Sequence, residues 1–251
     1  MPIRSHVSAW VVGTLLGMSA LPALAQATSV QDWSYAGDSG PERWAGLNPI
    51  YERCGNGQNQ SPVDIHNAIE AEQPELTLDY TKPLLVVKRT ANGISVEGPS
   101  GNTLTVNGHE YILRRIDFHS PAEHSVDGKQ APMEIQLVHT DAVENTLILS
   151  VFVEPGDAST VLDRLWQNMP AVDRSMSLTG EITPDELLPK ARDNWQYNGS
   201  LTTPPCTEGV RWVIMKKPVH ASQQQFKQFH QWLDVDSARP VQPLNARFIL
   251  K

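Results

Sequence analysis

Short apolar runs separated by turn-forming residues dominate the middle of the chain. They lie at 85–87, 94–97, 103–106, 111–119, 133–139 and 146–153. Runs of this length between turn signals are typical of β-strands. Asn107-Gly108 joins two of them, and because both residues tolerate positive φ, this pair predicts a tight hairpin. The pattern therefore predicts a β-rich core.

Helical patterning is limited to three stretches, at 161–169, 184–188 and 222–233. The segment from Trp33 to Val63 is rich in aromatic residues, glycine and proline, and it predicts an irregular coil that wraps the core. The sequence shows no internal repeat and no linker. We therefore expect one mainly β (α+β) domain over residues 26–251.

The N-terminal segment has the pattern of a signal peptide. Arg4 gives a basic start, an apolar run covers 9–21, and Ala23-Leu-Ala25 matches a small-residue cleavage site. The apolar run is shorter than the roughly 20 residues that a membrane-spanning helix needs. We expect residues 1–25 to be a signal peptide and the protein to be exported, either periplasmic or secreted.

The net charge and the two cysteines limit the kinds of partner the protein can bind and the redox compartment it suits. The formal net charge is −8, which disfavours binding to nucleic acid. Cys54 and Cys206 are the two cysteines of the chain. In an oxidising compartment a disulfide between them can persist, so we expect one bridge, with two buried thiols as the alternative.

Two of the predicted strands carry polar side chains at alternate positions. Because side chains alternate between the faces of a strand, each strand presents three of these positions on one face. The first strand presents Arg115, Asp117 and His119, and the second presents Glu134, Gln136 and Val138. If the strands pair, the polar groups meet between apolar neighbours, where burial is costly unless they satisfy one another or line a cavity. This cluster is the candidate site.

Several motifs in order resemble those of the alpha-class carbonic anhydrase family, over essentially the whole mature chain. The central frame is Asp117-Phe-His119, then Ala122-Glu-His124, then Glu134-Ile-Gln136. The opening Gln60-Ser-Pro-Val-Asp-Ile65 and the loop Gly199-Ser-Leu-Thr-Thr-Pro-Pro205 also match. The resemblance implies a large, twisted, mostly antiparallel central sheet with short peripheral helices and a conical cavity. It also places Cys54 and Cys206 where exported members form their disulfide.

The resemblance assigns roles to the candidate residues. In this family three histidines hold zinc, and their positions are taken here by Asp117, His119 and Gln136. Arg115 stands where a glutamine orients the first histidine, and Glu134 keeps the position that orients the third. Thr202 and Glu123 match the catalytic pair that orients the reactive oxygen, and the residues that match the wall of the carbon dioxide pocket are Val138, Ile148, Leu201 and Trp212. His124 and His139 match structural histidines.

These departures favour a catalytically impaired or inactive relative with a binding or interaction role, whose protein or glycan partner is unknown. Ile94 follows Asn92-Gly93 where active members carry the histidine that transfers protons. We expect a metal-free polar network in which Arg115 pairs with Asp117 and Glu134 accepts from Gln136. The alternative is a metal-dependent carbonic anhydrase that converts carbon dioxide to bicarbonate with zinc at Asp117, His119 and Gln136.

Overall fold

The computed structural model describes Met1 and residues 33–233 and 235–251. Residues 2–25 of the expected signal peptide lie outside this part, so the signal peptide stays a prediction. The described residues from Trp33 onward belong to one compact unit. Within them, no helix has both the length and the apolar character needed to span a membrane.

Fourteen strands lie in the part of the chain that the structure describes. They are β1 Asp64–Ile65, β2 Leu76–Asp79, β3 Val86–Thr90, β4 Gly93–Glu97, β5 Thr103–Val106, β6 His109–His119, β7 Ser125–Val126, β8 Lys129–Gln130, β9 Met133–Thr140, β10 Thr146–Pro155, β11 Arg174–Ser177, β12 Asn194–Ser200, β13 Glu208–Met215 and β14 Val219–Ala221. The large sheet has the order β11-β3-β4-β6-β9-β10-β13-β12, with β5 also on β6, β2 on β5 and β14 on β10. Most pairs are antiparallel, whereas β10 runs parallel to β13 and β14. The expected large sheet is confirmed.

Helices are short and lie outside the sheet. They are α1 Trp44–Leu47, α2 Arg53–Asn56, α3 Thr160–Trp166 and α4 Gln223–Leu233, with 3-10 turns at Gly37–Ser39, Pro49–Tyr51 and Pro184–Leu187. The prediction of a helix at 184–188 was wrong in type, because this proline-started segment makes only a 3-10 turn capped by Thr183 and Glu186. The opening segment also holds helical turns, too short to show periodicity in the sequence.

The strand β9 lies in the middle of the sheet and has two buried faces. Met133, Ile135 and Leu137 belong to the larger apolar core, which also contains buried residues of α3 and α4. The alternate residues face the other side, where Val138 belongs to a second apolar cluster. Polar side chains on that second face are therefore buried in the sheet, and they need partners.

Candidate active site

A bulge in β6 determines which side chains face the second side of the sheet. Tyr111 and Leu113 lie in the larger core, but after the register shift between Leu113 and Arg115 the core residues are Ile116 and Phe118. The extra residue, Arg114, is exposed. Such a bulge reverses the alternation of a strand. As a result, the odd-numbered residues from 115 to 119 face away from the larger core.

The register of β6 against β9 brings the predicted residues together. Asp117 lies opposite Gln136, Arg115 opposite Val138, and His119 opposite Glu134. The prediction that two polar faces meet is confirmed.

Arg115 and Asp117 form an ion pair within one strand. The Nε of Arg115 donates to both carboxylate oxygens of Asp117, at 2.8 and 3.1 Å. The side chains are 41% and 22% exposed, so the pair lies at the edge of the cavity and is partly hydrated. This is the pairing that the sequence predicted.

His119 is held by a segment far along the chain. Its Nδ1 donates to the backbone oxygen of Ser237 at 2.6 Å, which leaves Nε2 directed toward the carboxylate of Glu123, 3.7 Å away. Burial alone lowers the pKa of His119, but Glu123, the Ser237 carbonyl and further carboxylates outweigh it and raise the pKa above its ordinary value. The ring is thus fixed in orientation.

The amide of Gln136 is oriented by two carboxylates. Its Nε2 donates to Glu123 at 2.9 Å and to Glu134 at 3.1 Å. Because both acceptors are carboxylates, the nitrogen must lie toward them and the amide oxygen away from them. Gln136 lines the cavity. The predicted bond to Glu134 is confirmed.

Glu134 is a buried anion that accepts several hydrogen bonds besides that of Gln136. The backbone N–H groups of Glu123 and His124 each donate at 2.9 Å, as does the ring Nδ1 of His124, and Ser150 donates at 2.6 Å. Burial alone would raise the pKa of this carboxyl, but His124 and these donors lower it to about 2. His124 also contacts the Tyr197 hydroxyl at 2.7 Å, so its role is structural.

Glu123 accepts hydrogen bonds from groups other than Thr202. One of its carboxylate oxygens accepts from the backbone N–H of Arg239 at 3.1 Å, and the other accepts from Gln136. Among the described residues, no hydrogen bond joins Thr202 to Glu123. Thr202 nevertheless lines the cavity. The two residues assigned as a catalytic pair are therefore close to one cavity without being paired.

The cavity has a volume of about 190 Å³. The predicted wall residues Val138, Ile148 and Leu201 line it, together with Ile94. Lining residues that the sequence did not single out are Trp33, Tyr35, Thr90, Ser95 and Thr203. Trp212, the other predicted wall residue, is not among the residues that line this cavity: its indole donates to the Ser200 carbonyl at 3.0 Å and packs on His124.

Cys54 and Cys206 form the expected disulfide, with Cα atoms 5.1 Å apart. Cys206 directly follows the loop that carries Thr202. The bridge therefore joins the opening segment to the cavity loop.

The comparisons with known proteins identify the family. The model of the family described as "Eukaryotic-type carbonic anhydrase" matches residues 39–251. The chain belongs to the alpha-class carbonic anhydrase family. A carbonic anhydrase from Neisseria gonorrhoeae is 37% identical over 238 residues, covering 94% of each chain.

A solved alpha-carbonic anhydrase from Thermovibrio ammonificans, in complex with the inhibitor sulfanilamide, superimposes with a TM-score of 0.86 at 40% identity. That match covers 88% of this chain and 99% of the other. Dioscorin dioA3 from Dioscorea japonica is 32% identical over 249 residues, covering 94% of this chain and 92% of that protein. The fold and the family that the motifs implied are thus both confirmed.

The donor set of this carbonic anhydrase relative fits zinc only in part. The Nε2 of His119 and the carboxylate of Asp117 are donor types that zinc uses in proteins. The amide oxygen of Gln136 suits harder ions better, and Asp117 is already bound to Arg115. Among the described residues, no group of three or more His, Cys, Asp and Glu side chains is placed to hold a metal ion. Zinc would compete with Arg115 for the Asp117 carboxylate and would have to accept an amide ligand.

Proposed function

We propose that the chain acts on carbon dioxide and bicarbonate as a metal-dependent carbonic anhydrase with a weakened catalytic centre. The observation that carries this proposal is the convergence of Asp117, His119 and Gln136 on one cavity with an apolar wall. The family and its relatives named carbonic anhydrase support the same reaction.

The residues that would hold zinc are His119 through Nε2, Asp117 through a carboxylate oxygen, and Gln136 through its amide oxygen. The chemistry that zinc supplies in this family is the acidification of a water molecule, for which carbonic anhydrase is the standard example. An anionic ligand in place of a neutral imidazole weakens that acidification. Ile94 provides no proton-transfer group at the cavity, which slows the return to the reactive state. We therefore expect slow hydration.

The remaining residues support substrate binding and ligand orientation. Val138, Ile148 and Leu201 supply an apolar surface that suits carbon dioxide. The Ser237 carbonyl fixes the tautomer of His119, as is usual for histidines that ligate metals.

A second candidate function is a metal-free binding or interaction role. One observation favours it: Asp117 is satisfied by Arg115, and both N–H groups of the Gln136 amide are engaged by carboxylates. Polar groups that satisfy one another need no metal for stability. This candidate leaves the partner, whether protein or glycan, to be identified.

One preparation distinguishes the two functions. The mature protein is purified without chelators, its metals are measured by mass spectrometry, and carbon dioxide hydration is assayed with and without added zinc. The variant His119→Ala removes the retained imidazole, and His109→Ala is the matched control, because the exposed His109 lies on the same strand but does not line the cavity and pairs with Asp141. Zinc-dependent hydration that survives His109→Ala and is lost in His119→Ala supports the enzyme. Folded protein that shows no hydration above buffer at saturating zinc excludes it and favours the second candidate.

We also propose that the protein is exported to an oxidising compartment. The N-terminal signal pattern supports this, as does the pairing of Cys54 with Cys206, since disulfides persist in such compartments. Fractionation of cells, with mass spectrometry of the mature N-terminus, tests it: cytoplasmic protein that still carries residues 1–25 would refute it.

A further inference from the structure

We propose that Arg115 makes the cavity a metal-independent binding site for a small carboxylate anion. The inference goes beyond the proposed hydration, because the site needs neither zinc nor a hydroxide. It rests on the N–H donors of the Arg115 guanidinium that have no acceptor among the described residues.

The guanidinium group is anchored but not saturated. Arginine has five N–H donors, and only the one on Nε is used by Asp117. In the described residues, neither Nη atom of Arg115 donates to a protein acceptor. The side chain lines the cavity and is 41% exposed. Four N–H donors are therefore available on a group that is already held in orientation.

Several side chains with hydroxyl groups line the same cavity as Arg115. Tyr35, Ser95, Thr202 and Thr203 line the same cavity, and in the described residues none of their hydroxyls bonds to another protein group. Ser95 lies directly opposite Asp117 in the pairing of β4 with β6. A planar carboxylate matches the parallel donors of a guanidinium, and neighbouring hydroxyls can donate to the same oxygens.

Tyr35 remains a donor under ordinary conditions. Burial, together with the charges of Glu123 and Asp117, raises the pKa of its hydroxyl well above the usual value. A neutral phenol donates a hydrogen bond, whereas a phenolate would repel an anion.

The acidic residues near the cavity do not cancel this preference. Asp117 is compensated by Nε of Arg115, and Glu123 accepts from Gln136 and the Arg239 backbone. Their charges still reduce the attraction for an anion, so we expect weak binding, with a dissociation constant on the order of 1 mM. The predicted ligand is therefore a small monocarboxylate and not a polyanion.

The chain offers a matched control one residue away. Arg114 has the same charge and lies in the bulge, where its Nε donates to Thr140 at 2.7 Å and it does not line the cavity. Arg114→Gln and Arg115→Gln thus change net charge equally. Only the second removes a donor from the cavity.

The test titrates acetate into chelator-treated, metal-free protein, at constant ionic strength, and follows binding by backbone amide NMR. We expect shifts in β4 and β6, a loss of affinity of at least tenfold in Arg115→Gln, and a change of less than twofold in Arg114→Gln. Arg115→Lys keeps the charge without the fork, and we expect it to lose several-fold in affinity. Thermal unfolding of each variant verifies the fold. If Arg115→Gln does not fold, the comparison of Arg115→Lys with Arg114→Gln decides whether the guanidinium of Arg115 binds acetate.

The proposal would be overturned if the wild type showed no saturable acetate binding, or if the Arg114 and Arg115 variants lost equal affinity for acetate. Equal binding by Arg115→Lys and wild type would overturn the bidentate fork. Because zinc is excluded throughout, failure of this site is distinguishable from failure of the hydration assay, which requires zinc.

Discussion

Zinc binding to this protein should strengthen when Arg115 is replaced by glutamine. A metal that uses the Asp117 carboxylate competes with the two contacts that this group makes with Nε of Arg115. Since the two side chains are 41% and 22% exposed, the pair belongs with partly hydrated ion pairs, which contribute up to about 1 kcal/mol. That free energy corresponds to about fivefold in zinc affinity. Removal of the positive charge acts in the same direction, because it no longer repels the metal.

Competition with a chromophoric zinc chelator measures this change. The metal-free wild type, Arg115→Gln and the control Arg114→Gln are each titrated against the zinc-loaded chelator at constant ionic strength. We expect the Arg115 variant to take zinc from the chelator at about fivefold lower concentration, and the control to match wild type. Unchanged or weaker zinc binding in Arg115→Gln would show that the ion pair does not compete with the metal, and this reasoning would then be wrong.

Three further predictions concern the ligands, pH and the disulfide. The double variant Asp117→His/Gln136→His supplies imidazole donors, so zinc affinity in the same competition assay should rise at least about tenfold and hydration should become faster. An unchanged zinc affinity would argue against metal binding at these two positions. Burial lowers the pKa of His139 from 6.5 to about 4, so the fold has its full stability from this residue above pH 6.5 and loses about 3 kcal/mol of unfolding free energy as the pH falls to 4. Urea unfolding across this range should show a smaller dependence of unfolding free energy on pH in His139→Gln than in wild type, and identical dependence would contradict the prediction. Removing the disulfide with Cys54→Ser/Cys206→Ser opens a loop of 152 residues, and in the chain-entropy model this should lower the unfolding free energy by up to about 5 kcal/mol. A melting temperature equal to that of wild type under oxidising conditions would refute this prediction.

Strand alternation made the central part of the site predictable. Asp117 and His119 are polar positions between Ile116 and Phe118, and Gln136 lies between Ile135 and Leu137, so each strand specified its own faces. The family resemblance then supplied the pairing of the two strands, which local pattern alone does not determine.

The remaining contacts come from parts of the chain without a regular pattern. Ser237 and Arg239 follow α4, in a stretch where the described residues 235–251 form no named strand, yet their backbone groups bond to His119 and Glu123. Backbone contacts carry no side-chain signature, so the sequence could not indicate them. Trp212 belongs to the second apolar cluster and is fully buried, and its distance from the cavity depends on the packing of the sheet, which the sequence does not specify.

The bulge at Arg114 has a consequence for how the site can change by insertion or deletion. Loss of that one residue would restore simple alternation along β6 and leave Ile116 and Phe118 facing the larger core and Asp117 and His119 facing the cavity, whereas loss of Ile116 would turn Asp117 and His119 toward the larger core relative to Arg115. Point substitutions at the cavity face leave the opposite face of the sheet untouched. The chemistry of the cavity is thus open to replacement one residue at a time, whereas the length of the strand can vary only at the bulge without exchanging the two faces.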